Sequence, residues 1–592
     1  MSTIIRFFIA AAIAAFIVAC GGGGNGTGPA LSSNARLADL SISVAEFDQI
    51  FQSNQPNYTA TVSLLRSTMT VTPVTEDANA SVTVDGMQVV SGTASGDITL
   101  DEGANTIALI VTAEDAVTTS TYTIDVTRQT AAGFAQQAYV KASNTDSADQ
   151  FGNAVALSGD TLAVGAYRED SVATGIGGDQ SDNNATDAGA VYVFTRDPAG
   201  VWSQQAYIKA SNAEAGDLFG RSVALAGDTL VVGAPGEKSL ATGIDGDQSD
   251  NGADESGAVY LFTRDATGVW SQQAYMKASN TGPGDRRFGG DSFGSAVSIS
   301  GDTLAVGAYK ESSAATGIGG DQSDNGAIDA GAVYVFTRDP ARVWSQQAYI
   351  KASNTDEYDW FGGSVAISGD TLAVGAWGEE SNATGIDGDQ NNNDDKNTGA
   401  AYVFTRDAAG VWSQQAYIKA SNADFDDEFG RSLALSSDLL AVGATSEGDS
   451  GAVYLFVRDP VGIWSQQAHL KALNAGDMDE FGNSVGLSVD ALVVGAWRED
   501  GASTGVGGDL VDNSAGDSGA AYLFMRDAAG TWSQQAYIKA SNTNAGDWFG
   551  TSVAVTVDAL AVGAIFEESA ATGIEGEQSD NSEGAAGAVY VY

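Results

Sequence analysis

The chain has 592 residues, 43% of them hydrophobic, which is enough for more than one core. Its 27 Lys and Arg stand against 76 Asp and Glu, a net charge of −49. That balance disfavours nucleic acid and anionic lipid surfaces as partners and favours cations and basic surfaces.

In chain order, residues 1–19 read as a leader. Arg6 is its charged start, and Phe7 to Phe16 is an apolar run too short to span a membrane. Ile17-Val18-Ala19-Cys20 resembles a bacterial lipoprotein cleavage box, which makes the single cysteine, Cys20, the lipid-attachment residue. Residues 20–35 follow as a Gly-rich tether. Gly21 is not an inner-membrane retention aspartate. The resemblance therefore implies a lipid-anchored protein of the bacterial outer membrane.

Residues 36–129 alternate short strand-like runs with turns. The runs include Tyr58 to Val62, Ser81 to Val84, Ile107 to Val111 and Tyr122 to Val126; the turns include Asp85-Gly86 and Glu102-Gly103. About seven short strands in this length suggest a small β-sandwich. The closing run Tyr122 to Arg128 resembles the end of bacterial cadherin-like sandwich domains. No catalytic cluster is visible here, so the domain reads as a spacer or adhesive module.

From residue 134 onward the chain repeats. Phe-Gly recurs at Phe151, Phe219, Phe293, Phe361, Phe429, Phe481 and Phe549, at intervals of 68, 74, 68, 68, 52 and 68 residues. Each unit carries four short strands, A to D. In the first unit they fall at Asn153–Leu157, Thr161–Ala166, Gly189–Phe194 and Val201–Ala210, with Gly159-Asp160 as a tight A–B hairpin. Four strands per repeat predict a propeller blade, and seven Phe-Gly pairs predict seven blades. The chain stops at Tyr590-Val591-Tyr592, a C strand with no D strand after it. The segment Phe134 to Ala142 matches the D pattern and precedes the first A strand. The predicted fold is thus all-β: a seven-bladed β-propeller closed by an N-terminal D strand, preceded by a small β-sandwich.

The repeats resemble the FG-GAP repeats of integrin α-subunit propellers, in a bacterial form with a long acidic insertion. The Phe-Gly element is literal in all seven copies. The Gly-Ala-Pro element is literal at Gly233-Ala234-Pro235 and reads Gly-Ala-Xaa elsewhere, as at Gly165-Ala166-Tyr167. The resemblance covers residues 134–592.

A propeller puts its B–C and D–A loops on one face. In this chain those loops are the long ones, and they carry most of the acids. The first B–C loop offers Asp179, Asp182, Asn183 and Asp187; the second, Asp245, Asp247, Asp250, Asn251 and Asp254; the third, Asp321, Asp324, Asn325 and Asp329; the sixth, Asp509, Asp512, Asn513 and Asp517. The fourth and seventh are similar, and the fifth is cut down to Ser446-Glu447-Gly448-Asp449-Ser450. D–A loops add an acid two residues before the Phe at Asp149, Asp217, Asp359, Asp427, Asp479 and Asp547. Calcium is the cofactor these oxygens suit. The integrin-type calcium loop lies between strands A and B, where this chain has only a short Gly-Asp or Ser-Asp turn, so the family's calcium residues do not carry over. Set against calcium is turn capping by Asx hydrogen bonds.

The recurring Trp and Phe read as packing between blades. The Arg-Asp pairs at the C–D turns (Arg196-Asp197 is the first) read as structural pairs or caps. Asp527 to Trp532 resembles the Asp-box of sialidases, with one residue too many. The only histidine, His469, replaces a D-strand Tyr, which argues against a triad or zinc enzyme. The functional expectation is an envelope-anchored, non-enzymatic adhesion protein. It recognises an extracellular or periplasmic protein or glycan through the acidic loop face, with calcium as candidate cofactor. A sialidase-like glycosidase and a purely structural envelope protein are the alternatives.

Overall fold

A computed structural model describes residues 30–43, 47–281, 290–527 and 529–592. The leader, Cys20 and the tether up to residue 29 lie outside the described residues. The described chain forms two compact units. One is small and built from residues before 127; the other holds 127–592 together with 61–69 and 99–105.

In the small unit, Asn57–Val62, Thr119–Arg128, Gly103–Thr112, Ser81–Val84 and Met87–Val89 form one sheet in that order. Leu37–Ile42 pairs antiparallel with Val71–Thr75. Strict alternation in Gly103–Thr112 and Thr119–Arg128 buries Leu109, Val111, Ile124 and Val126 completely on one face. This is the sandwich expected from the sequence.

In the large unit the blades are seven four-stranded antiparallel sheets. The first runs Ala154–Ser158 (A), Thr161–Ala166 (B), Ala190–Arg196 (C) and Trp202–Ile208 (D). Strand B is buried at every residue, because its two faces press on the blades either side. Strand A is half-buried throughout and lines the axis. The A–B hairpin turns at Gly159-Asp160, with Ser158 opposite Thr161 and Gly159 at φ +54°.

The last sheet takes its fourth strand from the other end of the chain. Ala138–Val140 pairs with Ala588–Val591, Tyr139 opposite Tyr590. Lys141 Nζ donates to Glu567 Oε2 at 2.7 Å, and Ser552 Oγ donates to the Gly152 carbonyl at 2.7 Å. The innermost strands of the first and last blades therefore touch, as those of consecutive blades do.

The two glycine signatures meet at these junctions. A Cβ on Gly165 would lie 2.0 Å from the carbonyl oxygen of Gly220 in the next blade, and Gly220 itself sits at φ +91°. The Phe-Gly glycine and the Gly-Ala glycine are thus one contact, made by backbones too close for any side chain. The Phe beside it fills the gap between sheets: Phe219 meets Tyr260 edge-on at 5.3 Å and packs among Val191, Val193 and Ile208 of the blade before.

The Trp series also bridges blades, as the sequence suggests. Trp270 is 5% exposed and its Nε1 donates to Gln205 Oε1 of the preceding blade at 2.8 Å. The C–D Arg does not pair with its sequence neighbour. Arg196 reaches back to Asp160 of the A–B turn at 2.7 Å and lies over Trp202. Asp197 accepts the Ala199 and Val201 amides and so holds the C–D turn. The Asp-box-like Asp527 does the same for Ala529 and Thr531, a structural role that every complete C–D turn shares.

The long loops are anchored by a Glu–Lys ion pair, buried in all blades but the fifth. In the second, Glu237 opens the B–C loop and Lys277 ends strand D, with Nζ to Oε2 at 2.7 Å and both side chains at most 1% exposed. Tyr275 Oη and Asn212 Nδ2 donate to the other carboxylate oxygen, and Lys277 also donates to Ser256 Oγ at 2.7 Å. Each partner makes hydrogen bonds beyond the ion pair itself, which helps keep such charges inside. Blade five keeps the pair as Glu447 and Lys471, but its clipped loop leaves Lys471 33% exposed. There His469 stacks on Tyr454 at 4.6 Å in place of the missing Tyr.

Candidate functional site: the axial mouth

Strand A starts beside the end of strand B, and strand B ends beside the start of strand C. The D–A and B–C loops therefore leave the ring at the same end. Their acids are mostly spent on their own turns. Asp179 Oδ1 accepts from the Ser181 amide and hydroxyl; Asp247 and Asp321 do the same for Ser249 and Ser323. Asp182, Asp250 and Asp512 accept the amide two residues on, and Asp509 accepts that of Val511. Those turn bonds hold the exposed Asp179, Asp247 and Asp321 carboxyls below the usual range.

Asn183 and Asn251 reach across to Asp146 and Glu214 of the D–A loop. Asp245 accepts the Tyr275 amide. Asp187, Asp329 and Asp517 take positive φ, near +50°. Asp254, Asp324, Asn325 and Asn513 lie in the same loops. Among the described residues no three His, Cys, Asp or Glu are grouped to hold a metal ion.

The D–A acids are different. Burial pushes Asp149 up to about 8, Asp217, Asp291 and Asp547 up to about 7, and Asp427 and Asp479 up to about 6; nearby carboxylates such as Glu169 add to it. Asp149, Asp217 and Asp547 each accept one backbone amide, from Asp146, Glu214 and Asn544. They stiffen the base of the loops.

What lies between the loops, at the axis, is a cavity of about 930 Å³. Most of its lining comes from three places in the repeat, the residue before Phe-Gly, the residue after it and the residue after Gly-Ala, joined by Gly236, Glu255, Lys310 and Asp329. Those three places are the positions where the copies differ. The third place alone reads Tyr167, Pro235, Tyr309, Trp377, Thr445, Trp497 and Ile565 around the ring. Of the ten Trp in the chain, six are the framework series; the other four, Trp360, Trp377, Trp497 and Trp548, all line this mouth.

The rings are half-buried and arranged in groups. Trp360 and Trp377 stack at 3.8 Å, and Trp548 sits 4.0 Å from Trp497 and 4.2 Å from Phe566. Cations lie on them: Arg431 over Trp377 at 4.4 Å, Arg498 over Trp497 at 4.5 Å, and Arg168 and Arg221 over Tyr167 at 5.4 Å. Three of the mouth's cations have carboxylate partners: Arg168 with Asp187, Lys310 with Glu255, and Arg498 with Glu480. Arg221 and Arg431 have no ion pair among the described residues, although both are exposed. Glu480 accepts Trp497 Nε1 at 2.7 Å, and burial raises its carboxyl above the usual value. Asn153 and Asn483 donate to the Arg221 and Thr551 carbonyls and tie neighbouring blades at the rim.

Reading the sequence for repeats passed over these residues, because they are the ones that break the repeat. The signal was there in the variable third residue of the Gly-Ala-Xaa element.

Comparison with known families gives two matches. A cadherin-like beta sandwich domain model matches residues 37–129. An FG-GAP repeat model matches seven segments, 134–194, 202–262, 270–336, 344–404, 412–456, 464–524 and 532–592. A protein of Evansella cellulosilytica named "Putative membrane protein" is 37% identical over 105 residues, covering 18% of this chain and 16% of that one. The chain thus spans about a sixth of that relative's length. Among solved structures, a "putative 6-phosphogluconolactonase" from Bacteroides uniformis covers 66% of this chain and 86% of its own at 10% identity, TM-score 0.40. A protein from Lactobacillus plantarum covers 73% and 92% at 14% identity, TM-score 0.39.

Proposed function

The chain belongs to the FG-GAP repeat family, with a cadherin-like sandwich ahead of its seven repeats, and on that premise we propose that it is a non-enzymatic binding protein of the cell envelope. Its partner, a protein or glycan, engages the loop face at the axial mouth. The observation that carries this reading is the gathering of all four non-framework Trp, with Arg221 and Arg431, in one cavity. Trp, Tyr and Arg are the side chains that dominate binding energy, and a central, partly enclosed position is where they do so.

Placement at the envelope rests on the leader and Cys20, read as a lipid anchor, and is supported by the name of the Evansella relative. No helix among the described residues is long and apolar enough to cross a membrane. We take recognition to be independent of calcium, because the loop acids serve their own turns.

The test is binding of the full chain to isolated outer-membrane envelopes lacking it, followed by surface plasmon resonance. Trp548→Ala, which keeps every framework contact, is expected to weaken binding at least tenfold. Unchanged binding would remove the mouth from the interface.

A further inference from the structure

We propose that the outer edge of the fifth blade takes a strand from a partner protein, an extended segment with an aliphatic residue between a glycine and an acidic or small residue. The residues of this edge are not among those lining the axial mouth, and the inference does not rest on that site. The other six blades show what such an edge holds. In each, part of the long B–C loop returns along the outside of strand D and pairs with it antiparallel. In the second blade the Lys277 amide donates to the Gly243 carbonyl at 2.8 Å and the Asp245 amide donates to the Tyr275 carbonyl at 2.8 Å, with Ile244 opposite Met276. The same pairing sets Ile176 opposite Ile208, Ile318 opposite Ile350, Ile386 opposite Ile418, Val506 opposite Ile538 and Ile574 opposite Val140. The aliphatic residue always follows a Gly and precedes Gly, Asp or Glu. Where an acid stands there, its carboxylate also accepts from the Tyr amide of strand D, as Asp245 does from Tyr275 at 3.0 Å.

The fifth blade lacks this segment, because its B–C loop is the one cut short. Its D strand, Trp464–Leu470, has no such bridge. Among the described residues neither the Lys471 amide nor the His469 carbonyl meets a backbone partner on that side. Tyr275 and Met276 are fully buried, whereas their counterparts His469 and Leu470 are exposed and half-buried. Ile244 packs against the core that holds Ala274 and Met276. At the equivalent core Ala468 and Leu470 are only partly buried, so the seat for that aliphatic side chain stands open. Leu473, just beyond the strand, is 76% exposed where Ser follows every other D strand. An unpaired edge of this kind is a template for one more strand. Strand addition takes affinity from main-chain bonds and selectivity from seats for alternate side chains. A second copy of this chain does not supply the strand, since its six matching segments are paired within their own blades.

The experiment records amide NMR spectra of the full chain, isotope-labelled at lysine, as a peptide copying residues 241–248, Ala-Thr-Gly-Ile-Asp-Gly-Asp-Gln, is added. The Lys471 signal is identified by its absence from the Lys471→Arg variant. It is expected to shift saturably, with a Kd of about 1 mM or tighter. The signals of Lys277 and Lys419, whose amides are already paired, are expected to stay in place. The same peptide methylated on the backbone nitrogen of its first Asp has lost the donor to the His469 carbonyl, and is expected to bind about tenfold more weakly. A Lys471 signal unmoved at about 5 mM peptide, or equal binding of the methylated peptide, overturns the proposal. So does a Lys471 amide already protected from exchange in a peptide-free chain that sediments as a dimer, which would assign the edge to a second copy.

Discussion

A Cβ on Gly563 would lie 2.1 Å from the carbonyl oxygen of Gly152, so the last blade and the first approach as closely as any neighbouring pair. The same near-contact recurs at Gly165 and Gly220, and at Gly233 and Gly294. What looks in the sequence like two separate signatures, Phe-Gly and Gly-Ala, is one inter-blade junction seen from its two sides.

Gly563→Ala therefore tests the junction directly. The added methyl meets backbone, which cannot swing away as a side chain would. A loss of about 2–3 kcal/mol is expected, read as a lowered Tm. The control Gly159→Ala in the exposed A–B turn meets nothing within 4 Å, and its cost comes only from its positive φ of +54°.

Glu237→Gln tests the buried pair. Lys277 would be left at 0% exposure without its ion-pair partner, and a loss of about 3–5 kcal/mol is expected. The equivalent Glu447→Gln in blade five should cost clearly less, since Lys471 reaches solvent there. Equal losses in denaturant titrations of the two variants would show that burial does not set the cost.

Asp217 makes stability depend on pH. Its carboxyl is pushed up to about 7 by burial, against an unfolded value near 3.9. Between those values the folded chain holds a proton that the unfolded chain has released, so stability is greater at the acid end and falls as pH rises through about 7. Asp149, Asp291 and Asp547 act in the same direction. Tm should fall from pH 6 to pH 8, and Asp217→Asn should make that fall smaller. A Tm that rises over this range would contradict the buried-acid reading.

Calcium is expected to leave Tm unchanged. A site with a Kd of about 10 μM would add about 2.7 kcal/mol at millimolar calcium by mass action. A saturable rise, absent with magnesium, would show that the loop acids rearrange into a metal shell.

The fold was legible because its determinants recur. Seven Phe-Gly pairs set the blade count, and the D-like segment around Tyr139 pairs with the strand holding Tyr590. The Glu–Lys pairs recur too, 40 residues apart in most blades, as Glu169 with Lys209 and Glu237 with Lys277. Nothing local marks them, because one partner sits in a loop and the other in a strand. The loop acids drew notice by number, yet Asp179 and Asp247 cap turns. The mouth was missed for a physical reason: framework positions are constrained seven times over and read as a period, whereas Tyr309, Trp377 and Trp497 occupy one frame position and differ because each faces the cavity rather than a neighbouring blade.

The most direct measurement compares two multiple variants for binding to isolated envelopes, with Tm checked for each. One removes the mouth's rings, Trp360→Ala, Trp377→Ala, Trp497→Ala and Trp548→Ala; the other neutralises loop acids, Asp179→Asn, Asp247→Asn, Asp321→Asn and Asp509→Asn. Loss of binding by at least two orders of magnitude in the first and a change of less than threefold in the second is the expected result, since buried Trp at a binding centre each contribute about 2 kcal/mol or more. Binding that survives the first and collapses in the second would place recognition on the acidic loops and contradict the axial mouth as the site.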